Sequence, residues 1–232
     1  MTNRVALVTG SASGIGRAIA LALQDAGLKV IGVDRVPQTD GALPFTEVVD
    51  LADADGCEEL LRRVGRVDVL VNNASVLVVR ALEDLELADF QLLFDINMRA
   101  PVLLTRGVLP GMAERGWGRI INLSSVGART GGVSQSAVYN MTKSAIGSLS
   151  RFVARHYANR GITCNAIAPG AIVSGMTSHL TQADIDQLIA QVPAGRMGSP
   201  EEVAAAAVFL ASDGASYVNG VTLDVNGGWV MV

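Results

Sequence analysis

Short apolar runs rich in β-branched residues recur along this chain of 232 residues, and stretches with helical apolar spacing lie between them. The runs are RVALVTG (4–10), LKVIGVD (28–34), FTEVVDL (45–51), VDVLVNNA (67–74), GRIINLSS (118–125), ITCNAIAPG (162–170) and VTLDVNGG (221–228). Each is bounded by Gly, Asn, Asp or Ser. Each is apolar continuously rather than at alternate positions, as in strands buried on both faces. Within 14–26, Ile15, Ala18, Ile19, Ala22, Leu23 and Ala26 make one helical stripe, and Gly27 follows as a stop. Similar helices are expected near 88–112, 136–158 and 200–212, the last opened by Ser199, Pro200 and two acids. Strand alternating with helix predicts an α/β chain: a doubly wound, seven-stranded parallel sheet with helices on both faces. No linker divides it, so 1–232 reads as a single domain. Segment 171–199 has no strand run and reads as a lid insertion before the last helix and strand.

Composition narrows the function. Half the residues are hydrophobic and 17% are charged, which suits a packed core rather than disorder. Net charge is −4 with no basic tract, so nucleic acid is not an expected partner. Cys57 and Cys164 are isolated and the histidines are His156 and His179, so no metal site is expected. No apolar run approaches the ~20 residues that span a bilayer. The first apolar run is also too short for a signal peptide. The expectation is a cytoplasmic protein that meets no membrane.

VTGSASGIG (8–16) follows the first strand and opens the first helix. Gly10, Gly14 and Gly16 allow a tight turn and close approach to a diphosphate, with Ser11, Ser13 and Ile15 between them. Asp34 ends the second strand, where a carboxylate accepts from both ribose hydroxyls and repels a 2′-phosphate. NAD(H) is therefore preferred over NADP(H). Arg35 keeps NADP(H) possible, since it could stack on adenine or offset Asp34. Asp50 and Leu51, at the end of the third run, meet the adenine edge or cap a helix.

SAVYNMTKSA (136–145) places Tyr139 four residues before Lys143, on one helical face. A neighbouring cation would stabilise phenolate and bring the tyrosine toward neutral pH, making it a general base.

Together these motifs resemble the one-domain branch of the short-chain dehydrogenase/reductase family over nearly the whole chain. TGSASGIG fits its T-G-x-x-x-G-I-G loop, and NNAS (72–75) its N-N-A-G, with Ser75 in place of glycine. Asn97, Ser125, Tyr139 and Lys143 fit its catalytic tetrad. PGAIVSGM (169–176) fits the segment that clasps nicotinamide, which implies contacts from Pro169, Gly170, Ile172 and Ser174. The resemblance implies a Rossmann fold. It also implies hydride transfer between a secondary alcohol and a ketone, with Tyr139 as acid/base and Ser125 polarising the carbonyl. Lys143 would hold the nicotinamide ribose, and Asn97 a water that links Lys143 to solvent. Asn73, Ala74 and Ser75 would line the cofactor, Asn73 at the adenine ribose. Asn72 would only tie backbone together.

Two further departures accompany Ser75. Ser125 lies fourteen residues before Tyr139, one more than is frequent in the family, and 35–66 is short, leaving the adenine end open. The lid is similar to that of 3-oxoacyl-[acyl carrier protein] reductases. Residues 43–54 and the overall length are similar to 2,3-dihydro-2,3-dihydroxybenzoate dehydrogenase. A cofactor-sensing scaffold is the non-enzyme alternative. Arg129 and His179 either meet substrate or are solvated. Phe90, Leu93, Phe94, Leu103 and the terminal GGWVMV exceed what one sheet face needs, which points to a homotetramer. The lid's inner wall is expected to be Met176, Leu180, Ile185, Leu188 and Ile189, with His179, Asp184 and Asp186 outside, suiting a moderately apolar substrate.

Overall fold

The computed structural model describes residues 3–132, 136–177 and 181–232. In chain order its main elements are β1 (Val5–Thr9), α1 (Gly14–Asp25), β2 (Lys29–Asp34), β3 (Thr46–Val48), α2 (Ala54–Val64), β4 (Val69–Asn72), α3 (Leu87–Phe94), α4 (Ala100–Glu114), β5 (Gly118–Leu123), α5 (Gly127–Thr130), α6 (Ala137–Tyr157), β6 (Ile162–Pro169), α7 (Gln182–Ile189), α8 (Pro200–Ala211) and β7 (Thr222–Val225). The strands form one sheet in the order β3-β2-β1-β4-β5-β6-β7, and every adjacent pair is parallel. The chain is thus a single α/β domain of Rossmann type. Its order reverses between β1 and β4, the switch point where such sheets open a crevice at the strands' carboxyl ends.

Continuous apolar runs make sense once both faces are covered. Ala6 and Val8 of β1 pack with Ile19, Leu23, Val203 and Leu210, the α1/α8 side. Leu7, between them, packs with Leu60, Leu104, Met112 and Val153, the α2/α4/α6 side. Alternate residues of one strand feed two cores, and full burial of a Leu is worth ~1.5–3 kcal/mol.

Three expectations need correction. The helix expected over 88–112 is broken into α3, a π-helical turn at Asp95–Arg99, and α4. Pro101 lacks the N–H that an α-helix would give to the Asn97 carbonyl, so the ladder is interrupted at the turn carrying Asn97. Second, no helix joins β2 to β3. The 35–45 excursion is pinned instead by an Arg17–Asp40 ion pair, by Gln24 Nε2 donating to the Ala42 carbonyl at 3.2 Å, and by Gln38 Nε2 donating to Ser11 Oγ at 3.0 Å. β3 is accordingly a short edge strand, and its Val48 is 55% exposed rather than buried. Third, Leu93 belongs to the core, and Leu103 packs against it. The exposed apolar side chains of α3 and α4 are Leu87, Phe90, Leu92 and Val102, and Phe90 stacks on Phe94 at 4.3 Å.

The 171–199 insertion is tied at both ends. Ile172 bridges to Gly198, with Val173 N–H donating to the Gly198 carbonyl at 3.0 Å and Gly198 N–H to the Ala171 carbonyl at 2.8 Å. Between these ends stands α7, whose Thr181–Asp184 capping box closes its first turn. His179 and Leu180 lie outside the described residues.

Candidate active site

The site is built outward from the end of β1. Thr9 Oγ1 accepts the N–H groups of Asn73 and Ala74, each at 3.0 Å. Asn73 Nδ2 returns two bonds, to the Thr9 carbonyl at 2.9 Å and the Gly10 carbonyl at 3.2 Å. Asn73 thus stitches β4 to the glycine loop, work that the adenine-ribose assignment did not foresee. A Cβ on Gly16 would lie 2.0 Å from the Gly10 carbonyl oxygen, so only glycine lets α1 pack this close. Gly10 and Gly14 have φ of +68° and +55°. The first N–H groups of α1 have no intrahelical partner and carry the positive end of the helix dipole.

A cavity of about 610 Å³ runs along this loop. It is lined by Gly10, Ser13, Gly14, Ile15, Asp34, Arg35, Asp50, Leu51, Asn73, Ala74, Ser75 and Ser174. Two expected contacts do not reach it. Ser11 is buried, donates to the Val33 carbonyl at 3.3 Å and accepts from Gln38. Gly16 sits behind the loop and acts through close packing. The Asp34 carboxylate accepts from Ala12 N–H at 3.0 Å and Val36 N–H at 3.3 Å, and each oxygen keeps a lone pair. Asp50 closes a turn by accepting from Ala52 N–H at 2.9 Å, while Asp53 caps α2. Narrow loop, helix N-terminus and terminal carboxylate fit a dinucleotide: diphosphate over the loop, adenosine ribose at Asp34.

A second cavity, of about 460 Å³, shares Ile15, Asn73, Ser75 and Ser174 with the first, so the two form one cleft. Its walls bring together Ser125, Tyr139, Lys143, Pro169, Gly170 and Ile172. Ser125 Oγ accepts Gly127 N–H at 3.1 Å. The neighbouring Ser124 has its hydroxyl spent on the Lys143 carbonyl at 2.8 Å. Burial pushes the Tyr139 phenol above its usual pKa, and hydrogen bonds from Ser125 and Ser75 pull it partly back. Lys143 lies 5.6 Å from the tyrosine ring centre and donates to the Leu123 carbonyl at 2.8 Å. Burial lowers its pKa to about 7. Against the expectation that a neighbouring cation brings Tyr139 toward neutral pH, burial opposes both charges in the free protein.

Asn97 is buried and does not line either cavity. Its Oδ1 accepts from Ser75 Oγ at 3.0 Å and Val76 N–H at 2.9 Å. Its Nδ2 donates to the Val76 carbonyl at 3.0 Å and Thr142 Oγ1 at 3.2 Å. This side chain is saturated and holds no water, so only its main-chain groups remain for that role. Asn72 does more than tie backbone, since its Nδ2 donates to Asn122 Oδ1 at 2.7 Å.

Sequence reasoning missed several lining residues. Trp229, assigned to a subunit surface, lines the second cavity. From α7 come Asp184, Gln187 and Leu188, with Gln191 just beyond it, so this wall is more polar than expected, and the exposed Asp184 borders the cavity as well as solvent. Arg129 pairs with Asp224 at 3.3 Å, outside the lining residues. His156 packs on Phe152 at 4.4 Å. Among the described residues no cluster could hold a metal ion, and no helix is long and apolar enough to cross a membrane.

The Lys143 environment predicts a pH signature. The folded pKa is about 7, against ~10.4 for an unfolded lysine. Between these values the unfolded chain holds a proton that the folded chain lacks, so wild-type stability rises with pH across the window. Lys143→Met should therefore stabilise the free protein relative to wild type most at and below pH 7. That advantage should shrink by on the order of 1 kcal/mol or more by pH ~10. Urea unfolding of both proteins across this range checks it, and a difference independent of pH would contradict it.

Comparison with known proteins agrees with this geometry. A family model described as enoyl-(acyl carrier protein) reductase matches residues 10–230. The 3-oxoacyl-[acyl-carrier-protein] reductase FabG of Rickettsia prowazekii is 38% identical over 239 residues, covering 100% of this chain and 99% of that protein. Among solved structures, a provisionally named NAD(P)-dependent gluconate 5-dehydrogenase from Beutenbergia cavernae, with NADP bound at low occupancy, superposes with a TM-score of 0.94. It is 37% identical, covering 99% of this chain and 97% of its own. A 3-oxoacyl-(acyl-carrier-protein) reductase from Agrobacterium tumefaciens C58 with NADP bound gives a TM-score of 0.93 at 32% identity, covering 98% and 94% of the two chains. With a family model spanning nearly its whole length and relatives of this identity end to end, the chain belongs to the short-chain dehydrogenase/reductase family of oxidoreductases.

Proposed function

We propose that the chain interconverts a secondary alcohol and its ketone with a nicotinamide dinucleotide, using NAD(H) in preference to NADP(H). The observation that carries this reading is the single cleft, with a glycine loop and Asp34 at one end and Ser125, Tyr139 and Lys143 at the other. Bound between them, the nicotinamide would accept or donate the hydride. Pro169 and Gly170 form its edge at the end of β6, where a Cβ on Gly170 would meet Asn226 Cα at 2.8 Å.

In the oxidative direction Tyr139 takes the hydroxyl proton as the substrate carbon loses hydride. In the reductive direction it returns that proton to the developing alkoxide. Ser125 donates to the same oxygen and stabilises its charge. Lys143, from one helical turn further on, would hold the nicotinamide ribose, and a ribose oxygen beside its ammonium would offset part of the cost of burying that charge. Asn97 positions the Ser75–Val76 backbone and Thr142 on α6. The α7 segment closes over the substrate as a lid and keeps water from the hydride path.

Asp34 supports NAD(H), because its carboxylate at the ribose end repels a 2′-phosphate. No basic side chain stands in the glycine loop, and Arg35 is the one cation lining the first cavity among the described residues. Asp34→Ser should narrow or reverse the preference in parallel kcat/KM measurements with NAD(H) and NADP(H). Equal or better wild-type efficiency with NADP(H) would contradict the assignment; the solved neighbours with NADP bound make that comparison necessary.

The substrate cavity mixes an apolar body, Leu77, Val79, Leu188 and Trp229, with Gln187, Gln191 and Asp184. This suits a compact ketone that also carries hydroxyl groups. The second reading is a 3-oxoacyl thioester, favoured by end-to-end similarity to reductases of that name. A panel of keto acids, polyols and 3-oxoacyl thioesters separates the two. With the best substrate, Tyr139→Phe should lose ~10²–10⁴ in kcat while NADH still binds; near-wild-type turnover would refute the acid/base role.

Assembly as a homotetramer is part of this reading. Phe90, Leu92, Val102, Met141 and Phe152 are exposed along α3, α4 and α6, and Phe209, Tyr217 and Val221 near α8 and β7. Two apolar surfaces suit two kinds of two-fold interface. Light scattering should give four times the chain mass, and a concentration-independent monomer would contradict it.

A further inference from the structure

Asn140 follows Tyr139 on α6, and its side chain is buried, 6% exposed, against the turn that follows Ser125. Nδ2 donates to the Gly131 carbonyl at 2.8 Å and to Ser136 Oγ at 3.4 Å. The Gly131 carbonyl can only accept, so the amide end that faces it is Nδ2. Two glycines pack on the same amide. A Cβ on Gly127 would lie 2.1 Å from Asn140 Oδ1, and a Cβ on Gly132 would lie 2.0 Å from Nδ2. Neither position has room for a side chain, so residues 127–132 wrap around Asn140. Gly131 and Gly132 make the bend with φ of +81° and +100°, a left-handed pair that suits glycine.

This contact reaches the reacting centre through one bond. Gly127 N–H donates to Ser125 Oγ at 3.1 Å. A hydroxyl that accepts this N–H keeps its own proton for another acceptor, and Ser125 lines the second cavity. The place of Gly127 therefore sets the direction of the Ser125 hydroxyl. Other side chains hold the turn less well. Ser144 Oγ lies 3.3 Å from the Ala128 carbonyl but 2.9 Å from the Asn140 carbonyl, and it has one proton to give. Arg129 ties the outer side of the turn to Asp224 at 3.3 Å, a partly exposed ion pair of the kind that contributes little.

We propose that Asn140 is a positioning residue for Ser125: it anchors the 127–132 turn, and the turn aims the Ser125 hydroxyl at the substrate oxygen. The inference rests on the reading of Ser125 as the donor that polarises the carbonyl. Asn140 moves no proton in this role and acts only through the turn. Without its amide, the Gly131 carbonyl loses its side-chain donor. The two glycines have no side chains with which to fill the space left. Ser125 then keeps its chemistry but loses its aim. Cofactor binding should be spared, because Asn140 lines the second cavity and not the one along the glycine loop.

The test combines a measurement without substrate and a double-mutant cycle. Asn140→Ala and Asn140→Ser are made in the wild type and in Ser125→Ala. Alanine is the best helix former, and serine is a second replacement should alanine fail to fold. NADH titration by fluorescence should give Kd values within about twofold of wild type, which also shows that the variants are folded. Hydrogen exchange of the free proteins should quicken several-fold over 125–132 and stay unchanged over the glycine loop. Unchanged exchange over 125–132 overturns the proposal. With NADH and the best ketone of the panel above, each Asn140 variant should lose ~10-fold or more in kcat, the scale of a misplaced reacting group. In the Ser125→Ala background the same changes should cost about twofold or less, because there is no hydroxyl left to aim. Equal losses in both backgrounds, or wild-type kcat in the single variants, overturn the proposal and leave the reading of Ser125 standing. Full turnover by Ser125→Ala alone would instead sink that reading, and the proposal with it.

Discussion

The site depends first on the join between β1 and β4. These strands are neighbours in space but are separated in sequence by α1, β2, β3 and α2, and the order of the sheet reverses between them. Thr9 and Asn73 close that seam with bonds in both directions: the Thr9 hydroxyl accepts from the β4 end, and the Asn73 amide donates to the loop after β1. The loop so held leaves room for a helix start only because Gly16 has no side chain. Everything that follows is hung on this seam: the N-terminus of α1, the Asp34 carboxylate bonded to Ala12, and the Ala74–Ser75 backbone at the centre of the cleft.

At the other end of the cleft the governing quantity is burial. Lys143 is 3% exposed and its ammonium has one hydrogen-bond acceptor, the Leu123 carbonyl, within the described residues. A charge in such a place is costly until a partner arrives. Tyr139 is subject to the same cost as a phenolate. The free protein therefore favours a neutral pair, and a bound dinucleotide changes the balance by bringing charge and hydroxyls to it. Function and fold meet here, because the burial comes from β5, β6 and the α5 loop closing over the α6 face.

Much of the fold was legible because its signal is repetitive. Continuous apolar runs and helical stripes recur with each strand and helix, and a two-faced core requires both. Errors fell where one local bond overrides a pattern. Pro101 removes the N–H that a regular helix would need at Asn97, so periodicity alone reads straight through the π-helical turn. The β2–β3 excursion is held by Gln38, Gln24 and Arg17, side chains with no periodic mark. Site residues that combine into one motif along the chain, such as Gly10–Gly16 or Tyr139–Lys143, were found. Those that become neighbours only through the fold were not: Thr9 with Asn73, Ser75 with Asn97, and Trp229 with the walls of the second cavity. Ser11 shows the converse, a residue inside the right motif whose side chain faces away from the cleft.

The central claim is that one continuous cleft carries a dinucleotide from Asp34 to Tyr139. A crystal structure of the chain with NADH bound tests it most directly. The account predicts the diphosphate over Gly14 and Ile15, the adenosine ribose within hydrogen-bond distance of Asp34, and the nicotinamide between Pro169–Gly170 and the Ser125–Tyr139 wall. A dinucleotide bound elsewhere, or one whose nicotinamide lies away from Tyr139, would contradict it.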